Sequence, residues 1–276
     1  TWNKKLTEDV AMAVGDETLA AGTMQAWSPV LDVAQDARWG RCEETFGEDP
    51  VLVSQIGGAW IKGYQSKGLF TTPKHFGGHG APLGGRDSHD IGLSEREMRE
   101  VHLVPFRHVI RNYDCQSVMM AYSDYMGVPV AKSKELLQQI LRQEWGFEGM
   151  VISDYWVWNG DNLRDYALRA GCDTYLCMNV PTMWTISDYT SATARTAMRK
   201  AIKNLCYAVA NSNAMQGMAP GAKVEVSMSP WKKVLIGLDI LVVLLILLNI
   251  WKVVHRYKVA AEHPELFKED TKKKNK

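Results

Sequence analysis

The chain has 276 residues, of which 46% are hydrophobic and 23% charged, and its net charge is +1. That balance is the make-up of an ordinary folded protein; it excludes a strongly basic nucleic-acid surface and a charge-rich disordered chain, and leaves the chemistry to be found in motifs. Five cysteines, Cys42, Cys115, Cys172, Cys177 and Cys206, form neither a CxxC pair nor a zinc spacing and are expected as buried thiols outside any disulfide framework.

The chain opens Thr1-Trp2-Asn3, with neither an initiator Met nor a signal peptide, although a membrane-type segment comes later. A fragment whose beginning is missing is the expectation. From there short apolar runs alternate with amphipathic stretches, the rhythm of βα units. Strands are expected at residues 25–33, 70–76, 117–122, 150–154 and 173–177, and helices at 4–21, 50–68, 94–112, 134–145, 162–171 and 191–211. The third helix opens on Ser94 followed by Glu97, the spacing of a capping box. About five βα units fall short of eight, so the expected fold is α/β, a (β/α)8 TIM-type barrel incomplete at its N-terminus, its first strands lying before Thr1. Such an arc has two open parallel edges and is expected to associate.

This barrel domain is expected to cover residues 1–218, followed by a linker at 219–231 rich in turn formers. The stretch 234–254 then reads VLIGLDILVVLLILLNIWKVV, in which Asp239 and Asn249 alone interrupt the apolar run before Lys252. At about 1.5 Å per residue it spans the roughly 30 Å of a bilayer core. A single transmembrane helix is therefore expected at 232–256, with membrane lipid as a partner. Lys232 and Lys233 precede it, whereas Lys252, Arg256, Lys258, Lys268 and the lysines near the end follow it. The excess of positive charge places the tail, 257–276, in the cytoplasm and the large domain outside.

Polar residues gather just after the expected strands: Asp32 and Asp36 with Arg38 and Arg41, then Lys74 and His75, then Tyr122 and Asp124, then Asp154. Strand C-termini and the loops beyond them form the site face of a barrel, and a doubly wound sheet gathers ligands there too. Taken singly, strand-end acids often cap helices or bridge loops. The Lys74-His75 pair followed by Gly77-Gly78-His79-Gly80 stands out, because glycines let the backbone approach a ligand and Lys and His donate to hydroxyls. His102 and His108 lie six apart, off the helical ligand spacing, so no metal and no cofactor is expected. Trp156, Trp158 and Trp184 are candidates for stacking on a ligand or for the core.

Four ordered blocks carry a resemblance: SPVLDVAQDARWGRCEETFGEDP, TPKHFGGHGAPLGGRDS, SVMMAYSDYMGVP and LRQEWGFEGMVISDYW. Together they resemble the barrel domain of family 3 glycoside hydrolases, closely over about residues 1–155 and loosely to about 218. The resemblance implies an exo-acting, retaining β-glycosidase, β-glucosidase-like, that hydrolyses β-glucosides or related β-glycosides by double displacement through a glycosyl-aspartate. It assigns the nucleophile to Asp154 and the leaving-group side to Tyr155. Arg41, Lys74 and His75, with Arg86, Met119 and Tyr122, fall to the shell that holds the sugar. A retaining enzyme also needs a second carboxyl group about 5–5.5 Å from the first, and Arg41 and Lys74 are expected to favour the charged form of Asp154.

Two family parts are not visible. An aspartate from early barrel strands has its expected stretch before Thr1, and the acid/base glutamate belongs to a separate domain. A missing N-terminal part is therefore an expected partner, and Glu43, Glu44 and Glu48 are expected to cap or bridge. A rival within the family is the N-acetylhexosaminidase type, whose DSH signature makes a histidine the acid/base. The chain has Asp87, Ser88 and His89, but the spacing from Gly80 is about two residues longer than that pattern. The alternative of another class is a non-catalytic remnant that only binds sugar.

Overall fold

The structure, a computed structural model, describes residues 1–155, 163–176, 186–215 and 228–264. Trp156, Trp158, Trp184, Cys177, and most of the expected linker and tail lie outside the described residues. The chain divides into two units, Thr1–Gly217 and Met218–Lys276.

In the first unit, helix α1 (Lys4–Ala20) is capped by the Asn3 side chain, which accepts from the Leu6 amide. Asp49 caps α2 (Pro50–Gln65) in the same way, with Pro50 at the first helical position. The interior of α2 holds Gly57, Gly58 and Gly63, each of which costs a helix about 1 kcal/mol against alanine. Close approach explains them. A Cβ on Gly63 would stand 2.3 Å from the Glu8 carbonyl of α1, and one on Gly58 would stand 2.6 Å from the Tyr113 ring.

Strand β1 (Gln25–Ala26) pairs in parallel with β2 (Phe70–Thr71). The strands β3 (Lys74–Phe76), β4 (Ser117–Met120), β7 (Met150–Tyr155) and β8 (Thr174–Leu176) form a parallel sheet in that order. β2 and β3 are the halves of the expected strand 70–76, divided at Thr72-Pro73, where proline has no amide to give a ladder. Val30 bridges to Lys74, so the parallel strands follow one another in chain order from β1 to β8. The result is an arc of βα units, and among the described residues the outer edges of β1 and β8 have no partner strand. The strand expected at 25–33 is shortened to two residues and the bridge at Val30, with Pro29 again the interruption.

The third expected helix is three pieces: α3 (Glu95–Glu97), a π-wound turn at Met98–His102, and α4 (Val104–Tyr113). Pro105 withholds an amide there, and Leu103 N–H reaches back to the Met98 carbonyl at 2.8 Å. The capping box is present in its first half, with the Ser94 hydroxyl accepting from the Glu97 amide at 3.2 Å. A short antiparallel hairpin of β5 (Asp124–Tyr125) and β6 (Val128–Pro129) was not expected. The segment Glu135–Glu144 is π-wound, and α5 (Leu163–Ala170) and α6 (Ala192–Ala210), the latter capped by Ser191, complete the unit.

The core sits between the sheet and these helices, joining Val118, Met120 and Val151 to Val53, Phe106 and Leu137. Phe76 meets Phe106 and Trp145 edge-on at 5.6 and 5.8 Å, the arrangement that ring quadrupoles favour. Cys115 and Cys172 are buried as expected, but Cys206 is exposed on α6 and Cys42 only part-buried, so the expectation of buried thiols fails for these two. Cys206 lies on the same outward side of α6 as Ile202 and Leu205, which are also exposed.

The second unit is described as one helix, α7 (Pro230–Glu262), long and apolar enough to cross a membrane and exposed along its apolar run. At about 1.5 Å per residue it is about 50 Å long, longer than the expected span because helix-compatible residues continue through Val259, Ala260 and Ala261.

His102 supplies a test of the core. It is buried, its Nε2–H donates to Gln35 Oε1 at 3.0 Å, and burial pushes its pKa down to about 4. The unfolded chain therefore binds a proton between about pH 6.5 and 4 that the native state refuses, so stability falls as pH drops through that window. Thermal unfolding followed by circular dichroism from pH 7 to 4.5 is expected to show a shallower decline for His102→Gln than for the native chain.

Candidate active site

The site lies at the C-terminal ends of β3, β4 and β7 and in the loops that follow them. Asp32 stands just past the Val30 bridge, where Leu31 N–H donates to the Lys74 carbonyl at 2.7 Å. Its Oδ2 accepts from the His75 amide at 3.1 Å and from the His75 Nδ1–H at 2.7 Å. Both side chains are 1% exposed. Burial opposes a charge on Asp32, but the attraction and hydrogen bonds of His75 outweigh it and hold the carboxyl below the ordinary range. Burial also pushes His75 below its ordinary pKa, against the pull of Asp32. We read the pair as an ionised Asp32 accepting from a neutral, Nδ1-protonated His75.

That tautomer directs a bare Nε2 at Asp154, at the end of β7. Nε2 stands 3.3 Å from Asp154 Oδ2, and among the described residues this buried oxygen has no hydrogen-bond donor. The other oxygen, Oδ1, accepts from the Tyr155 amide at 2.6 Å and fixes the carboxyl orientation. One oxygen is thus anchored and the other uncommitted.

A second cluster surrounds His79, a fully buried side chain in the glycine-rich loop after β3. Asp87 accepts from Trp39 Nε1–H at 2.9 Å and from the Tyr122 hydroxyl at 2.6 Å, and lies 3.1 Å from His79 Nε2. The bond from His79 first, and those from Tyr122 and Trp39, hold Asp87 well below the usual carboxylate range. Burial, with the bond to Asp87, pushes the Tyr122 hydroxyl up to about 12, so it stays a donor. His79 Nδ1 completes its contacts at 3.1 Å from Ser123 Oγ, and its ring meets Trp39, His75 and Tyr122 edge-on. Asp87 is a clasp that ties the loops after β1, β3 and β4 together.

The expected site residues fall into groups. Lys74 and His75 on β3 and Asp154 and Tyr155 on β7 flank β4, on which buried Met119 lies in register with Lys74. Tyr122 joins them through His79 and Asp87. The Arg41 guanidinium is held by Glu44, at 2.5 and 2.9 Å, and rests 3.2 Å from His79 Nε2. Glu44 thereby takes the expected bridging role. Arg86 is exposed and, among the described residues, has no side-chain hydrogen bond or ion pair. His89 is exposed too, and the acid beside it, Asp87, is engaged by His79 instead, because Ser88 turns the chain through a left-handed conformation (φ 67°) between them.

The glycine-rich loop has packing reasons for its glycines: Gly77 and Gly78 adopt φ 119° and 86°, and a Cβ on Gly80 would stand 2.5 Å from the Val33 carbonyl. Trp39 and Ser123 are the members of the site that sequence patterns did not single out; Asp32 and His79 were marked there, as a strand-end acid and within the glycine-rich loop, without their partners. Among the described residues no group of three His, Cys, Asp or Glu side chains is placed to hold a metal.

Parallel βα units with carboxylates and basic donors at strand C-termini are the layout of a barrel-type enzyme site. Residues 1–215 match the model of the glycosyl hydrolase family 3 N terminal domain, and the chain belongs to that family. It is 40% identical over 163 residues to a beta-xylosidase of Formosa agariphila, covering 56% of this chain and 22% of that protein. It is 37% identical over 173 residues to probable beta-glucosidase K of Emericella nidulans, covering 63% and 20%. Beta-glucosidase 3B of Thermotoga neapolitana, solved with glycerol, superposes with a TM-score of 0.70 at 30% identity over 78% of this chain and 31% of that one. The chain spans about a fifth of the length of the relatives it matches.

The Asp87 clasp can be tested by stability. Asp87→Ala leaves three donors without their acceptor and is expected to cost about 1 kcal/mol at neutral pH, at the low end because the carboxyl is part-exposed. A depressed folded pKa gives stability that is present above about pH 4 and lost below it, so urea unfolding should show the difference shrinking on acidification.

Proposed function

We propose that the chain carries the nucleophile-bearing part of a retaining β-glycosidase acting on β-glucosides or related β-glycosides. The observation that carries this reading is the Asp154 carboxyl: one oxygen is fixed by the Tyr155 amide, and the other, among the described residues, is without a donor beside a locked His75. A carboxylate in that state can attack an anomeric carbon through Oδ2, forming a glycosyl-aspartate as the leaving oxygen is protonated; water then releases the sugar. Relatives named beta-xylosidase and beta-glucosidase support a β-linked pyranoside as substrate and exo-acting hydrolysis as the reaction.

Lys74 and His75 are assigned to the sugar's hydroxyls together with Arg41, Met119, Tyr122 and, more remotely, Arg86, while Tyr155 flanks the leaving group. The Lys74 ammonium donates to a hydroxyl and the bare His75 Nε2 accepts from one, and bonds of this kind strengthen as charge develops in an oxocarbenium-like transition state. The acid/base is not assigned to a residue of this chain: Asp32 is committed to His75, and Asp87 to its three donors. Residues 1–218 form the barrel domain in this reading, and α7 is a single membrane span with the barrel outside and the tail in the cytoplasm. The length and apolar character of α7 and the lysines that follow it support that placement.

A 2-deoxy-2-fluoro-β-glucoside with a dinitrophenyl leaving group needs little acid assistance and isolates the nucleophile. Peptide mass spectrometry is expected to find one fluoroglucosyl group on Asp154 and none in Asp154→Asn. A folded chain that acquires no adduct contradicts the reading.

A further inference from the structure

A groove of about 710 Å³ lies away from Asp154, walled by the segment Glu135–Glu144, α5 and α6. Its floor is Asp173, which enters β8 beside Val151, three residues before Asp154 along the neighbouring strand. The size is within the roughly 300–1,000 Å³ typical of small-molecule sites.

Its charges are unevenly matched. Arg142 is neutralised by Asp173 at 2.7 Å and Arg169 by Asp188 at 2.5 Å. Lys134, Lys200 and Lys203 also line the groove, and among the described residues none of them has an ion pair. Three uncompensated ammonium groups around one concavity are more than a solvated helix face, because low-dielectric walls focus their field inward. Between them stand Gln143, Asn204 and Thr196, amide and hydroxyl groups that bond to alcohols as readily as to water. Asn204 is oriented by its bond to Asp173 at 2.9 Å.

We propose that this groove binds an anionic carbohydrate, a glycan fragment bearing sulfate or carboxylate groups. The lysines take the oxyanions and the amides and hydroxyl take the ring alcohols. The site is separate from Asp154 and does not depend on the glycosidase reading.

Isothermal titration of the full chain in detergent micelles with a sulfated disaccharide, cellobiose and inorganic sulfate tests this. The sulfated disaccharide is expected to bind at least tenfold more tightly than either of the others. The triple variant Lys134→Ala, Lys200→Ala, Lys203→Ala is expected to lose that advantage while keeping its circular dichroism spectrum and its fluoroglucosyl labelling, since alanine suits exposed helical positions. Equal binding of the sulfated and neutral disaccharides, or unchanged binding by the variant, would overturn the proposal. Sulfate binding as tightly as the disaccharide would overturn the carbohydrate assignment.

Discussion

The site depends on one buried pair. Taking an Asp and a His out of water costs several kcal/mol unless each satisfies the other, so the Asp32–His75 contact cannot loosen without leaving a buried polar group unpaired. That constraint joins two neighbouring strands of the arc: Asp32 follows the bridge at Val30, and His75 is the middle residue of β3. It also sets what the rest of His75 can do. With Nδ1–H given to Asp32, only Nε2 remains, and Nε2 faces Asp154 at 3.3 Å. The orientation of the candidate nucleophile's neighbour is therefore decided 43 residues earlier in the chain.

The second cluster builds on the first. The His79 ring lies 4.6 Å from that of His75, and Asp87 gathers His79, Tyr122 and Trp39 around one carboxylate. The glycines of the loop allow this convergence: positive φ at Gly77 and Gly78 turns the chain, and Gly80 packs against the Val33 carbonyl where any side chain would collide. Packing on the other side of the sheet follows the same logic, with the bare face of α2 admitting α1 and Tyr113.

The sheet's strands and the helices were legible because their periodicity is local, and the errors fall where tertiary chemistry intervenes. Proline cut two expected strands short, at Pro29 and Pro73, and Pro105 divided a helix. The β5–β6 hairpin escaped because its turn is Met126-Gly127, both at positive φ, and methionine is not a residue that advertises such a turn. Lys74, His75 and Asp154 were found through motif blocks, and α7 through composition alone. Asp32 and His79 were visible as positions, one just past a strand and the other in the glycine-rich loop, but their partners were not, because His75 lies 43 residues from Asp32 and Ser123 lies 44 from His79. Glu44, three residues past Arg41, was legible as a capping or bridging acid, and it bridges to that guanidinium.

The most direct test of the Asp32–His75 clamp is the ¹⁵N spectrum of the His75 ring between about pH 5 and 8, where an unperturbed imidazole would titrate. The account predicts a neutral ring throughout, with a protonated, pyrrole-like Nδ1 and a bare, pyridine-like Nε2, and a loss of that tautomer in Asp32→Ala. A ring that titrates near 6.5, or that carries its proton on Nε2, would contradict it.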